Sequence, residues 1–202
     1  MAAERRPRAT TEAKRLRILD ATEEIILESG YAAVSSRAVA GRVGMQAPHL
    51  HYYFATIDDL FVAVMRRRAT QNVDRMAQVL DADEPLRAWW ELASDQRGTA
   101  LFVELLAAAN HRLALRDEIA VMAKEVRALQ MERLSTLLVE YDLDPEVFTP
   151  VLVAAAMQGL AFAVVSDQAA GYDTKPDEAA AAMERLLDGL EARRRERTRR
   201  ER

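Results

Sequence analysis

Cysteine is absent from this 202-residue chain. That excludes disulfides and thiolate-held metal sites, and it suits a reducing interior. Histidine is nearly absent too. His49, His51 and His111 are the three present, and none stands three residues after a glutamate, as a di-metal site on paired helices requires. No glycine-rich phosphate loop and no nucleophile elbow occurs. With those chemistries missing, no enzyme, no cofactor and no metal site is expected. The most apolar stretch, Val151 to Val165, is interrupted by Gln158 and is short for a bilayer span. The N-terminus is basic and polar, without the apolar run of a signal peptide. The expectation is a cytoplasmic protein with no membrane partner.

What is there is half apolar, with seven Gly and six Pro, enough for one large or two small domains with a real core. Charge is unevenly spread. Residues 1–68 hold 11 Lys/Arg against 8 Asp/Glu, residues 69–192 hold 10 against 22, and the last ten hold 7 against 2. An acidic body would repel a polyanion that the head can approach.

No strand pattern or internal repeat is visible, and the apolar periodicity is helical throughout. Thr10 or Thr11 can cap a first helix with Ile18, Leu19, Thr22, Ile25 and Ile26 inward, ended by Gly30. Thr56-Ile57-Asp58-Asp59 resembles a capping box for a helix running to about Leu80, with Leu60, Phe61, Val64 and Met65 buried. Further helices are expected near 84–95, 98–113, 116–141 and 150–168. The last of these is opened by Thr149-Pro150, unless the helix starts at Pro145 and kinks. Thr174-Lys175-Pro176-Asp177 opens a final one. The fold class is therefore all-α, with about nine helices.

Residues 35–54 carry the most specific pattern. Ser35 is a good N-cap, and Val39, Ala40 and Val43 form a narrow apolar stripe. Gly44 sits at a junction where positive φ suits only glycine. A second short helix begins near Gln46 or Ala47 with Pro48 in its first turn. Met45, Leu50 and Phe54 are the expected buried residues. Two short helices joined this way are a helix-turn-helix, whose second helix lies in the major groove of duplex DNA. The side chains expected outward are Gln46, Ala47, His49, His51, Tyr52 and Tyr53. Gln can bond adenine, Ala can touch a thymine methyl, and Tyr and His can reach phosphates or bases. Ser35, Ser36, Arg37 and Thr56 complete the candidate DNA contacts, with Arg42 a further phosphate clamp. Periodicity alone leaves open an ordinary pair of core helices.

From Lys14 to Val64 the chain closely resembles the tetracycline-repressor (TetR) family of bacterial regulators. The resemblance rests on Arg17-Ile18-Leu19-Asp20-Ala21, Gly30-Tyr31, Ser35, Val39-Ala40, Gly44, Leu50, Tyr52, Phe54 and Leu60 at fixed spacing. Three positions depart from the family pattern: Ile57 replaces a phosphate-binding lysine, His51 a tyrosine and Pro48 a small glycine. Arg5, Arg6, Arg8 or Lys14 is expected to supply part of the missing positive charge.

The resemblance implies a basic arm (1–13), a three-helix DNA-binding head (14–60), a helical effector-binding and dimerisation body (61–193) and a disordered Arg-rich tail (194–202). It implies a homodimer through the last two long helices, with small residues such as Ala154, Ala155, Ala156 and Gly159 permitting close approach. It also implies an effector cavity for a small hydrophobic or amphipathic molecule. The candidate lining is Trp89, Trp90, Phe102, Leu106, Met122, Val126, Met157 and Phe162, with Asn110 a polar anchor. The function implied is a homodimeric transcriptional regulator, a repressor released from a double-stranded operator by such a ligand. The alternative is a DNA-binding regulator or adaptor without an effector.

Overall fold

The computed structural model describes residues 5–171 and 176–200. Among the described residues it contains nine α-helices, one 3-10 turn and no strand. In chain order these are α1 (Arg5–Ser29), the 3-10 turn (Tyr31–Ala33), α2 (Ser36–Arg42), α3 (Ala47–Tyr53), α4 (Ile57–Leu80), α5 (Pro85–Ala93), α6 (Gln96–Ala109), α7 (Leu113–Glu140), α8 (Pro150–Ala170) and α9 (Pro176–Arg200). The all-α class expected from the sequence is what is found.

The expected caps form. The Ser35 hydroxyl accepts from the Ala38 amide at 3.2 Å. The Asp59 carboxylate accepts from the Thr56 amide at 2.9 Å, and the Thr56 hydroxyl accepts in turn from the Asp59 amide at 3.0 Å, which is the reciprocal geometry of a capping box. The Leu152 amide donates to the Thr149 hydroxyl at 3.3 Å, and α8 starts at Pro150 rather than Pro145.

Both ends of the chain differ from expectation. The first helix is not capped at Thr10 or Thr11 but begins at Arg5. Pro7 falls in its first turn, where a missing amide donor does no harm. Residues 5–13 of the expected arm are thus helical, and residues 1–4 lie outside the described residues. The expected disordered tail is instead the continuing helix α9 as far as Arg200. Arg194 donates to Glu140 and to the Asp83 carbonyl, and Arg195 pairs with Glu84. Cations near a helix C-terminus also oppose its negative pole. Thr174 and Lys175 of the expected opening lie outside the described residues.

Contacts divide the chain into two units, not cut after residue 60 as expected. The first is Met1–Thr70 with Ala100–Met122, the second Gln71–Thr99 with Ala123–Arg202. In the first, Ile18, Ile26, Val39, Leu50, Phe54, Leu60, Phe61, Leu101 and Leu105 are all buried in one cluster. The expected inward face of α1 is the observed one. Each such side chain contributes about 1.5–3 kcal/mol by burial. The second unit is built on Leu80, Leu86, Trp89, Trp90, Leu134, Tyr141, Met157 and Leu187.

Two buried polar arrangements stand beside these cores. In the first unit, Arg67 of α4 donates to Asp20 at 2.7 Å and to Glu23 at 2.5 Å, both on α1. Desolvation lowers the guanidinium pKa, but hydrogen bonding to Glu23 and its charge outweigh that and hold it above the usual value. In the second unit the Tyr141 hydroxyl donates to Glu191 at 2.6 Å, and Glu191 is 1% exposed. Burial first, then the Glu191 carboxylate, pushes the Tyr141 phenol well above its ordinary value.

Helix α8 runs through Gln158 as expected, but its 18-residue window Pro150–Asp167, read as short for a bilayer span, has a mean hydropathy of 1.6 and is long and apolar enough by composition to cross a membrane. Yet only 28% of that window is buried within the chain. Val151, Leu152, Ala155, Ala156, Gly159 and Phe162 are exposed along it, close to every third or fourth residue and so on adjoining faces.

Candidate nucleic-acid interface

The geometry of α2 and α3 follows from a few residues. Val39 and Ala40 bury the inner face of α2, and Leu50 and Phe54 that of α3. The corner between them turns on Gly44, with φ +70. The Met45 amide donates to the Ala40 carbonyl at 2.9 Å, closing the end of α2. Pro48 lies at the start of α3, and Gln46 is its N-cap. Helix α2 packs directly on α3 and on α1.

The inner residues fix which side chains face out. Gln46, His49, His51 and Tyr52 are exposed, Tyr52 by 78%. Ala47 is half-buried. Tyr53 is also half-buried and packs on the core, its ring edge-on to that of Tyr52 with centroids 5.1 Å apart. Ser35, Arg37 and Thr56 are exposed and Ser36 is half-buried. Short α2 and α3 thus bring Ser35, Ser36, Arg37, Gln46, Ala47, His49, His51 and Tyr52 into one small head. Large polar and aromatic side chains standing in water on so short a helix are able to meet base edges and phosphates.

Arg42 is placed differently from a free phosphate clamp. It donates to Glu28 at 2.5 Å and to Glu24 at 3.3 Å, tying α2 to α1. Hydrogen bonding to Glu28 and its charge raise the guanidinium pKa above the usual value.

The sequence reading missed several charged side chains that hold the head. Arg15 of α1 donates to the Tyr53 carbonyl at 2.7 Å and lies over the Phe54 ring at 4.4 Å, so it caps the end of α3. Glu104 of α6 accepts from the Tyr31 amide at 2.8 Å, directly after Gly30 with φ +79. Arg112, at the α6–α7 corner, pairs with Asp58 in the first turn of α4 and stacks on Phe61 at 4.7 Å. Arg66 grips Glu118 of α7 through two bonds of 2.8 and 2.7 Å. Partners separated by 38 to 73 residues leave no local pattern to read.

The expected effector residues fall into three environments. Trp89, Trp90 and Met157 share the core of the second unit, and Met122 lies in that of the first. Phe102, Leu106, Asn110 and Phe162 are exposed. Val126 is half-buried. A cleft of about 260 Å³ in the second unit is lined by Glu140, Asp142, Arg193, Glu196, Arg197 and Arg200, none of them an expected lining residue.

Comparison with known proteins agrees with the head. Residues 18–64 match the family model described as "Bacterial regulatory proteins, tetR family". The chain is 32% identical over 72 residues to the HTH-type transcriptional regulator PksA of Bacillus subtilis, covering 36% of this chain and 35% of PksA. That match spans about a third of the curated relative's length. Among solved structures, FadR of Bacillus subtilis in complex with stearoyl-CoA has a TM-score of 0.64 at 19% identity, covering 87% of this chain and 96% of FadR. The multidrug binding protein EbrR, complexed with imidazole, has a TM-score of 0.56 at 28% identity, covering 88% of this chain and 94% of EbrR. The first of these likenesses is one of fold. The exposed-edge α3 turned on Gly44 thus lies within the stretch, residues 18–64, that matches the tetR family of bacterial regulatory proteins.

Proposed function

We propose that the chain is a homodimeric, DNA-binding transcriptional regulator acting in the cytoplasm, a repressor that leaves its operator when a small hydrophobic or amphipathic ligand binds. The observation that carries the DNA-binding part is the exposed edge of α3: Gln46, His49 and Tyr52 stand in solvent on a helix whose opposite side is pinned by Leu50 and Phe54. A rigid rod with polar and aromatic side chains outward suits a major groove.

The dimer part rests on α8 and α9. Besides the exposed small and apolar residues of α8, α9 exposes Ala182, Leu186 and Gly189 on its outer side. A Cβ added at Gly159 or Gly189 would meet nothing within 4 Å. A contiguous apolar face with small residues suits a second copy of the same helix pair, forming a four-helix bundle. Cover by that copy explains the hydropathy of α8 without a membrane.

The ligand part is supported by relatives described as complexes with stearoyl-CoA and imidazole. A second reading, a regulator or adaptor without an effector, is favoured by Trp89, Trp90 and Met157 packing into one core. Thermal shift with long-chain acyl-CoAs and with aromatic cations separates the two. Saturable stabilisation at a fixed stoichiometry supports the effector reading, and none across such a panel supports the other.

The DNA-binding reading is tested by letting the native protein select duplexes from a random library, then measuring affinity by fluorescence anisotropy. Q46A/H49A should lose about tenfold or more for the selected duplex while keeping its oligomeric state. No enriched duplex, or unchanged affinity in that variant, rejects α3 as the reading helix.

A further inference from the structure

The last two turns of α9 carry more positive charge than their own contacts use. Arg194 donates to Glu140 at 3.0 Å and to the Asp83 carbonyl, and Arg195 pairs with Glu84. Arg197 donates to the Val139 carbonyl at 2.7 Å and lies 3.6 Å from Asp142. It thereby covers the negative pole at the end of α7. Arg193 and Arg200 are exposed, and neither has a hydrogen bond or ion pair among the described residues. Arg193, Arg197 and Arg200 recur at i, i+4 and i+7 and so share one face of the helix. That face is one wall of the cleft of about 260 Å³, and the end of α7 at Glu140 and Asp142 is the other.

We propose that this cleft binds a small, elongated anion carrying two or more phosphate groups. Its lining is charged throughout, with Glu196 the sixth residue, so it offers nothing to a hydrophobic molecule. It shares no residue with the expected effector lining and depends neither on DNA binding nor on the dimer. Its volume lies just below the range of about 300–1,000 Å³ for sites of drug-sized ligands, so the occupant is small. The sign of the charge follows from the pairing. Glu140 is held by Arg194 and Asp142 by Arg197. That leaves Glu196 against Arg193 and Arg200, two guanidiniums to one carboxylate. Each guanidinium is a planar fork of donors that fits phosphate oxygens in pairs. Spacing sets the shape of the ligand. Arg193 and Arg200 are seven residues apart, about 10.5 Å along the axis. An anion charged at both ends meets both forks, whereas a lone phosphate meets one.

Isothermal titration of the full chain with sodium triphosphate, in magnesium-free buffer of low ionic strength, reads the site directly. One triphosphate should bind per protomer. ATP should bind with similar affinity, because no aromatic or apolar side chain lines the cleft to hold a base. Inorganic phosphate should bind about tenfold more weakly, and R193Q/R200Q should lose about tenfold or more for triphosphate. R127Q/R199Q removes the same charge from exposed arginines outside the cleft. It should keep the native affinity within about twofold, since distant exposed charges are screened. R193K/R200K keeps the charge but loses the planar fork, so it should fall between the two. D142N removes a negative charge from the opposite wall and should bind more tightly, as asparagine tolerates the φ of +55 there.

Helical content and thermal melts keep loss of binding apart from loss of fold, and both glutamine pairs should melt as the native protein does. Absence of saturable triphosphate binding at millimolar concentration overturns the proposal. So does an equal loss in R193Q/R200Q and R127Q/R199Q, which would make the attraction one of net charge alone. Tighter binding of spermine than of triphosphate would reverse the sign of the site and overturns it too.

Discussion

Tyr141 and Glu191 show how much a single pair governs in the second unit. The phenol is the described partner of one carboxylate oxygen, and Glu191 Oε2 is buried without a hydrogen-bond partner among the described residues. Tyr141→Phe leaves both oxygens without a described protein donor, so it should destabilise by about 1–3 kcal/mol, measured by urea melts at neutral pH. The sign of the pH dependence follows from linkage. The folded-state phenol is held above its unfolded value, so above about pH 10 the unfolded chain has lost a proton that the folded chain keeps. Stability should therefore fall as pH rises past that point, and less steeply in Tyr141→Phe. Arg67 makes the same case in the first unit. Removing it strands Glu23, which is 9% exposed, and Arg67→Ala should cost about 2–3 kcal/mol in a thermal melt. Neither pair is legible in the sequence, because partners 50 and 44 residues apart leave no local pattern.

At the scale of elements, the legible features were those whose cause is local. Ser35 and its amide partner are three residues apart, as are Thr56 and Asp59, so chain order contains the whole cap. Ser35→Ala should lower stability by about 1 kcal/mol. Gly44→Ala should cost about 1–2 kcal/mol from φ alone, since an added Cβ there would meet nothing within 4 Å. Both are read from chemical denaturation of the full chain. A cost near zero for Gly44→Ala would mean that the α2–α3 corner relaxes away from positive φ. The starts of α4 and α8 were legible for the same reason. The outer ends of α1 and α9 were not. Arginine-rich segments look like solvated tails until long-range partners are known, and Glu140 and Glu84, which hold Arg194 and Arg195, lie more than 50 residues upstream. The burial of Tyr53, read as an outward side chain, likewise depends on contacts that helical periodicity does not encode.

For the whole molecule, the unpartnered side of α8 and α9 and the exposed edge of α3 make sense together. On the proposed reading, one apolar face would join two copies, and joined copies would present two reading helices. Charge placed on that face opposes the pairing: A155E/L186E should convert a dimer to a monomer in light-scattering chromatography while leaving helical content unchanged. The monomer should then lose most of its affinity for a two-site duplex, because linked binding gains about 100-fold or more over a single head. A stable dimer in A155E/L186E would place the subunit contact elsewhere. The most direct measurement is a hydroxyl-radical footprint of the native protein on a duplex it has itself selected. Two symmetry-related protected half-sites should appear, about 10 base pairs apart or a small multiple of that, and both should fade together in Q46A/H49A. A single unrepeated protection, or a footprint indifferent to those two side chains, would contradict a paired head reading DNA through α3.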